Sequence, residues 1–311
     1  MTQHSIGIDI SKDTLDVCKL PGGEEKQFPN TKAGHKALIA WIDVDTCRII
    51  YEPTGAYHRT LEQALAKAGA AIVKVNPRQA RRFAEATGKF AKTDRLDAAM
   101  LARMGAVLQL EPRPVRSTLL GELKDLHMAR EALVKDRTAA LNRNKMMTLT
   151  LLKRQNAARI KQIAEQIKDI ETAIASLMAS DDELASRLAI LTSIPGIAKL
   201  TAFAILIEMP ELGNLNNKQV AALAGLAPIA RQSGQWKGKA FIRGGRAQLR
   251  HALFMPALVA ARYNPDLKAK YTQLITAGKP AKVAITAIMR KLIVLANSLI
   301  AQNRNWLQIK P

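Results

Sequence analysis

The sequence predicts an α/β N-terminal domain with a mixed sheet, then a long helical segment, then a mainly helical and strongly basic C-terminal domain. Three observations carry this expectation. In the first hundred residues, short apolar runs rich in β-branched residues alternate with stretches of helical period. From Ser117 to about Met178 the only Gly or Pro is Gly121, and Leu and Ile recur at three- and four-residue steps. From Leu212 to Pro311 sixteen Lys and Arg face a single acid, Asp266. The expected domains are 1–112, 113–185 and 186–311.

SIGIDI (5–10) and the alternating TLDVCKL (14–20) read as strands, with KQFPN (26–30) a third, and PGGEE supplies a turn between the last two. These form an antiparallel meander. TKAGHKALIAWI (31–42) is an amphipathic helix with Thr31 as its N-cap. RIIYE (48–52) is a buried strand, HRTLEQALAKAGA (58–70) a helix ending near Gly69, and AIVKVNP (71–77) a strand stopped by Pro77. PRQARRFAEATG and TDRLDAAMLARMGAVLQL follow as helices, so the order is β-β-β-α-β-α-β-α with helices covering a mixed sheet. Residues 117–178 read as two long helices or a helical hairpin of coiled-coil type, serving either as a bundle arm or as an oligomerisation arm. LTSIPGIAKLTAFAILIEM (191–209) has a helix, a tight I-P-G-I turn and a second helix, like a helix-hairpin-helix element. In such an element Pro195 and Gly196 let the backbone approach phosphates at a helix N-terminus; an ordinary interhelical loop is the alternative. KQVAALAGL is a further helix, 227–245 a loop rich in Gly, Lys and Arg, and another helix begins near Arg246.

Lys and Arg total 47 against 26 Asp and Glu, a formal net charge of +21. Such a balance favours a polyanionic partner. Cys18 and Cys47 form no CxxC or Cys/His cluster, which argues against a disulfide scaffold or a zinc site. MTQHSIGIDI lacks the basic stretch and apolar run of a signal peptide. KLIVLANSLIA is too short and polar to span a bilayer. A reduced, cytoplasmic protein with no membrane partner is expected.

Acids in so basic a chain need a reason. Asp9 lies near the end of the first strand and Glu52 at the end of the fourth, where α/β proteins place functional residues. Asp94 and Asp97, at i and i+3, share one face at the mouth of a helix. Each has an ordinary explanation: Asp9 as a strand-end turn residue, Glu52 as a surface residue before Pro53, Asp94 as an N-cap, Asp97 as a partner of the helix dipole. Together they form the pattern of an RNase H/RuvC-like nuclease. Four converging carboxylates repel unless cations neutralise them, and two Mg²⁺ ions about 3.5–4 Å apart would do so and would assist phosphodiester chemistry. Lys92 and Arg95 beside them are candidate phosphate contacts.

GIDISKDTLDV, YEPTGAYHRTLEQAL, VNPRQARRFAEATGKFAKTDRLDAAMLA, LTSIPGI and LAGLAPIARQSGQWKGKAFIRGGRAQLRHALFMPAL, in this order and spacing, resemble the DEDD transposases of the insertion-sequence one-hundred-and-ten family, to which the Piv-type DNA invertases are related. The resemblance implies that Asp9, Glu52, Asp94 and Asp97 are the Mg²⁺-binding acids of a RuvC-like domain. It implies that Ser233, the serine of R-Q-S-G, is a nucleophile that becomes joined to a DNA phosphate. It also implies a structured guide RNA that pairs with donor and target DNA. A serine attacking a phosphate needs charge neutralisation and a proton acceptor. Arg231, Lys237, Lys239, Arg243, Arg246 and Arg250 supply cations near Ser233, and no base is evident among them. Trp236 is either a core residue or a stacking platform for a base.

The expectation is a site-specific recombinase acting on donor and target DNA as a homodimer or tetramer, with the 117–180 helices as candidate interface. A metal-dependent Holliday-junction nuclease, an invertase of the same family and a non-catalytic nucleic-acid binder are the alternatives.

Overall fold

The structure, a computed structural model, describes residues 4–44, 47–53, 55–88, 94–112 and 117–307, without the side chains of Asp94 and Lys237. The chain forms two compact units, Met1–Arg116 and Ser117–Pro311.

The first unit is built on a five-stranded sheet of order β3-β2-β1-β4-β5. β1 (His4–Ile10), β2 (Thr14–Leu20) and β3 (Glu24–Pro29) form the antiparallel meander, and β4 (Cys47–Tyr51) and β5 (Ala71–Lys74) add to β1 in parallel. α1 (Lys32–Trp41) starts where Thr31 accepts the Gly34 amide, and α2 (Arg59–Lys67) follows β4. Leu38 of α1 and Leu61 and Leu65 of α2 bury against Ile6, Ile8, Val17, Ile49 and Tyr51. Pro77 does not merely stop β5. It is the first residue of α3 (Pro77–Ala86), with Asn76 accepting the Arg78 amide, because a missing N–H costs nothing at a helix start.

α4 (Asp94–Leu108) packs on the opposite face of the sheet from α1 and α2, and very closely. A Cβ on Gly7 would stand 2.0 Å from the Ala98 carbonyl oxygen, and one on Gly105 would stand 2.3 Å from Ile50 Cδ1. The Ser5 hydroxyl donates to the Ala102 carbonyl at 2.7 Å, which fixes the helix over β1.

In the second unit α5 (Thr118–Met146) and α6 (Thr150–Ala179) lie against each other as a helical hairpin. An Arg130–Glu171 ion pair of 2.8 Å and the buried Asn156, donating to the Ala140 carbonyl at 3.0 Å, link the two helices. Leu123, Ile174 and Met178 join the same core as the helices that follow. From Ser117 on, the helical segment shares one compact unit with the C-terminal region, because its apolar face continues into that core. α7 (Asp182–Ser193), α8 (Lys199–Glu208) and α9 (Asn217–Leu223) come next, α9 opening with a full Asn216/Gln219 capping box. A β-hairpin, β6 (Pro228–Ser233) and β7 (Trp236–Ile242), stands where the sequence reads as a loop. α10 (Ala247–Ala252), α11 (Phe254–Tyr263), α12 (Pro265–Thr276) and α13 (Ala281–Ala301) complete the unit. The apolar run near the C-terminus is longer than KLIVLANSLIA implies: α13 is long and apolar enough to cross a membrane. Half of it is instead buried, with Ile288, Leu292, Ile293 and Ala296 at the centre of the core.

Candidate nucleic-acid-processing site

Side chains alternate across a strand, so Ser5 and Gly7 facing α4 fix the direction of Asp9. In the parallel register Ile8 pairs with Tyr51, which brings Asp9 and Glu52 to adjacent positions at the C-terminal ends of β1 and β4. Ile50 lies against α4, so Glu52, two residues on, faces the same way. Asp97 immediately precedes Ala98, whose carbonyl covers Gly7. Asp9, Glu52 and Asp97 are thus set on one face, at one end of the sheet, each half-buried. Asp94 begins α4 one turn earlier, and its side chain, like all of Lys92, lies outside the described residues. Among the described residues no group of three His, Cys, Asp or Glu is already closed into a metal cluster. The donors are oxygen alone, a set suited to a hard divalent cation and unsuited to structural zinc.

Two features beside this face escape sequence reasoning. Asp16 pairs directly opposite Asp9 and so shares its face, where Gln27 donates to it at 3.1 Å. The alternation of TLDVCKL carried that information, since it puts Asp16 with Cys18 on the side of α4. Asp16, Glu25, Lys26, Gln27, Arg95 and Ala98 line a cleft of about 270 Å³. Arg95, read as a phosphate contact, is exposed and paired with Glu25. On the other face, Lys74 meets Glu62 at 2.7 Å and His58 Nε2 at 3.3 Å, and the His58 ring lies 5.9 Å from that of Tyr51. This cluster fastens the start of α2 to Lys74 at the end of β5 and to Tyr51 at the end of β4, next to Glu52. Burial, and then Lys74, hold the His58 pKa below its ordinary value. Burial, and then Glu62, raise that of Tyr51.

Ser233 closes β6. It pairs with Trp236 across a two-residue turn, Gly234-Gln235, in which Gly234 has φ +56°. The first position of such a turn favours glycine. All of β6 is exposed, and Trp236 is 60 % exposed rather than part of a core. The Arg231 guanidinium lies 5.2 Å from the Phe241 ring centroid, and Lys239 and Arg243 are exposed. The side chain of Lys237 is outside the described residues.

Two other cations of this region serve the fold. Arg246 makes two 2.7 Å hydrogen bonds to the Glu211 carboxylate and one of 2.6 Å to the Glu208 carbonyl. The Glu211 contact raises the Arg246 pKa above its usual range. Arg250 donates to the Gly244 carbonyl at 2.8 Å. Pro195 and Gly196 form the α7–α8 turn. A Cβ on Gly196, whose φ is +105°, would stand 2.9 Å from the Pro256 carbonyl oxygen, so the bare side of this glycine is turned to α11.

Comparison with known proteins finds matches in both parts of the chain. A family model described as a transposase, of DEDD type, matches residues 6–152, and one described as the transposase IS116/IS110/IS902 family matches residues 188–272. The first span contains all four acids and the second contains Ser233. The chain is 32% identical over 322 aligned residues to a pilin gene-inverting protein of Moraxella lacunata, covering 98% of each chain. Its identity to the corresponding protein of Moraxella bovis is 31% over the same extent. It is also 28% identical over 148 residues to an insertion element IS110 protein of Streptomyces coelicolor, across 47% of this chain and 36% of that one.

Proposed function

The chain belongs to the IS116/IS110/IS902 transposase family and is a DNA transposase and recombinase related to the pilin gene-inverting proteins, and from this premise we propose that it mobilises an insertion sequence by serine-mediated strand exchange assisted by a carboxylate-bound metal. The observation that carries the reading is the placing of Asp9 and Glu52 side by side at the ends of two parallel strands, under the helix that opens with Asp94 and Asp97. Strand order β3-β2-β1-β4-β5 with α4 on this face supports an RNase H/RuvC-like domain.

In this reading Asp9, Glu52, Asp94 and Asp97 would hold Mg²⁺, two ions in the one site. A divalent cation so held supplies charge neutralisation at phosphate oxygens. The protein's own part is to keep carboxylate oxygens on one rigid face and to bring cations to DNA. Ser233 Oγ attacks a backbone phosphate. The Oγ–P bond forms, and the P–O bond to one flanking sugar breaks with its electron pair going to the sugar oxygen. The hydroxyl proton passes through an acceptor outside the hairpin, which contributes no carboxylate, to that oxygen, which leaves as a sugar hydroxyl. Arg231, Lys237, Lys239 and Arg243 offset the charge that develops on the phosphate. A structured guide RNA, donor DNA and target DNA are the partners. A dimer or tetramer joins the two DNA sites, with the α5–α6 hairpin as its contact. The place of action is the cytoplasm, at the nucleoid.

Ser233→Ala and Asp94→Asn, each assayed for cleavage and for a covalent protein–DNA adduct, test the chemistry. Both variants lose strand exchange, and Ser233→Ala forms no adduct. Cleavage retained in Ser233→Ala would instead establish a metal-dependent nuclease in which water attacks. Sequencing the nucleic acid that copurifies tests the guide: a discrete structured RNA is expected, and random fragments would remove it from the scheme.

A further inference from the structure

The β6–β7 hairpin holds a second recognition element beside Ser233. Ser233 and Trp236 are directly opposed, so their side chains leave one face with Cβ atoms about 4.5–5.5 Å apart. Gly238, two residues along β7, shares that face. A Cβ there would fall 2.3 Å from Trp236 Cη2 and 2.8 Å from Cζ3. The benzo end of the indole therefore covers the bare Cα of Gly238. Ser233 opposes Trp236 itself, and Arg231 opposes Gly238. A broad aromatic surface, 60 % exposed, is thus laid down between a hydroxyl and a guanidinium.

Charge selects what covers it. Between Leu212 and Pro265 there are eight Lys and Arg and no acid. A second copy of a chain with net charge +21 would meet this face with like charge, whereas a nucleic-acid strand brings phosphates for the cations and a base for the ring. We infer that Trp236 stacks on the base of the nucleotide adjoining the phosphate attacked by Ser233, and that Gly238 is the vacancy that lets the indole lie there. The inference rests on Ser233 being the nucleophile. It carries a consequence for the substrate: the stacked base has left its own duplex stack, so cleavage is fastest where that base is unpaired.

The test uses the full chain with its copurifying nucleic acid, and duplexes tiling the DNA that flanks its own reading frame. The Ser233 adduct marks the cut, and 2-aminopurine is then placed at the nucleotide on either side of it. Wild type and Trp236→Phe quench the probe on one side. Trp236→Ala does not, and its adduct forms about 10- to 100-fold more slowly, the scale of one lost base–aromatic stack. Gly238→Ala behaves like Trp236→Ala while melting as wild type, because the added methyl meets only a movable ring. Unpairing the probed base speeds wild type and leaves Trp236→Ala slow. Equal quenching and equal adduct rates in wild type, Trp236→Ala and Gly238→Ala overturn the inference and leave the serine chemistry standing. If wild type forms no adduct, the serine chemistry is overturned and the inference with it.

Discussion

His127 of α5 is 5% exposed and lies 3.7 Å from the equally enclosed Glu208 of α8, which also holds Lys124. Burial outweighs the pull of Glu208 and Glu131, and the His127 pKa falls below its ordinary 6.5, with Lys124 and Arg130 acting in the same direction as burial. A lowered histidine is neutral in the fold and takes up protons more readily when unfolded. Its contribution is therefore present above about pH 6.5 and is lost as pH falls below that value. His35 and His58 are lowered as well, so the whole chain loses stability on mild acidification. Melting temperatures followed from about pH 7.5 to about pH 5.5 show this fall, and His127→Gln makes it shallower without removing it. Equal pH dependence in the variant and the wild type would show that His127 binds protons alike in the folded and unfolded states.

At the scale of elements, the seat of α4 on the sheet decides whether the acids meet. Gly7→Ala would drive a methyl into the backbone of Ala98 at 2.0 Å and of Ala102 at 2.4 Å, neither of which can turn aside. Gly105→Ala meets Cδ1 and Cγ1 of the fully buried Ile50 at 2.3 and 2.6 Å and the Ser5 hydroxyl at 2.6 Å, which are side chains rather than backbone but have little room to turn. Overpacking of this kind costs about 1–3 kcal/mol. Gly7→Ala takes the upper end, lifts the N-terminal turn of α4 with Asp97, and loses strand cleavage beyond its loss in thermal stability; Gly105→Ala, which presses on side chains, loses less of both. Calorimetry beside a cleavage assay separates the two losses. Much of this was legible beforehand. The alternation of SIGIDI and TLDVCKL, the Thr31 cap and the D-R-L-D-A opening of α4 all rest on local rules that packing did not override. What escaped was non-local or short. The register that sets Asp16 opposite Asp9 is a property of two strands, and the hairpin around Ser233 was hidden by glycines that read as a loop. Gly234-Gln235 between two runs was its one available sign, a two-residue connection with glycine first. The commitment of Arg246 to Glu211, 35 residues earlier, had no sign in local sequence.

Over the whole molecule, charge is divided as the work is. The acids with a proposed role lie in the first unit, and sixteen of the 47 Lys and Arg lie after Glu211 with only Asp266 against them. Formal charge alone overstates what is available to a phosphate backbone. Of the eight basic residues between Leu212 and Pro265, Arg246 and Arg250 are engaged by Glu211 and by the Gly244 carbonyl. The other six are Lys218, Arg231, Lys237, Lys239, Arg243 and Arg262. Each phosphate neutralised on duplex DNA contributes about −0.9 to the slope of log affinity against log salt, so this region accounts for a slope of roughly −5. Arg243→Ala and Lys239→Ala each make the slope shallower by about 1 and weaken binding evenly across sequences. Arg246→Ala leaves the slope as it was and lowers the melting temperature instead, since it removes three hydrogen bonds, one of them to the carbonyl of the buried Glu208. Fluorescence anisotropy on one duplex over a salt series, beside thermal melts of the same three variants, reads both quantities. A slope that changes with Arg246 and not with Arg243 would mean that nucleic acid displaces Glu211, and that the ion pair opens when DNA binds.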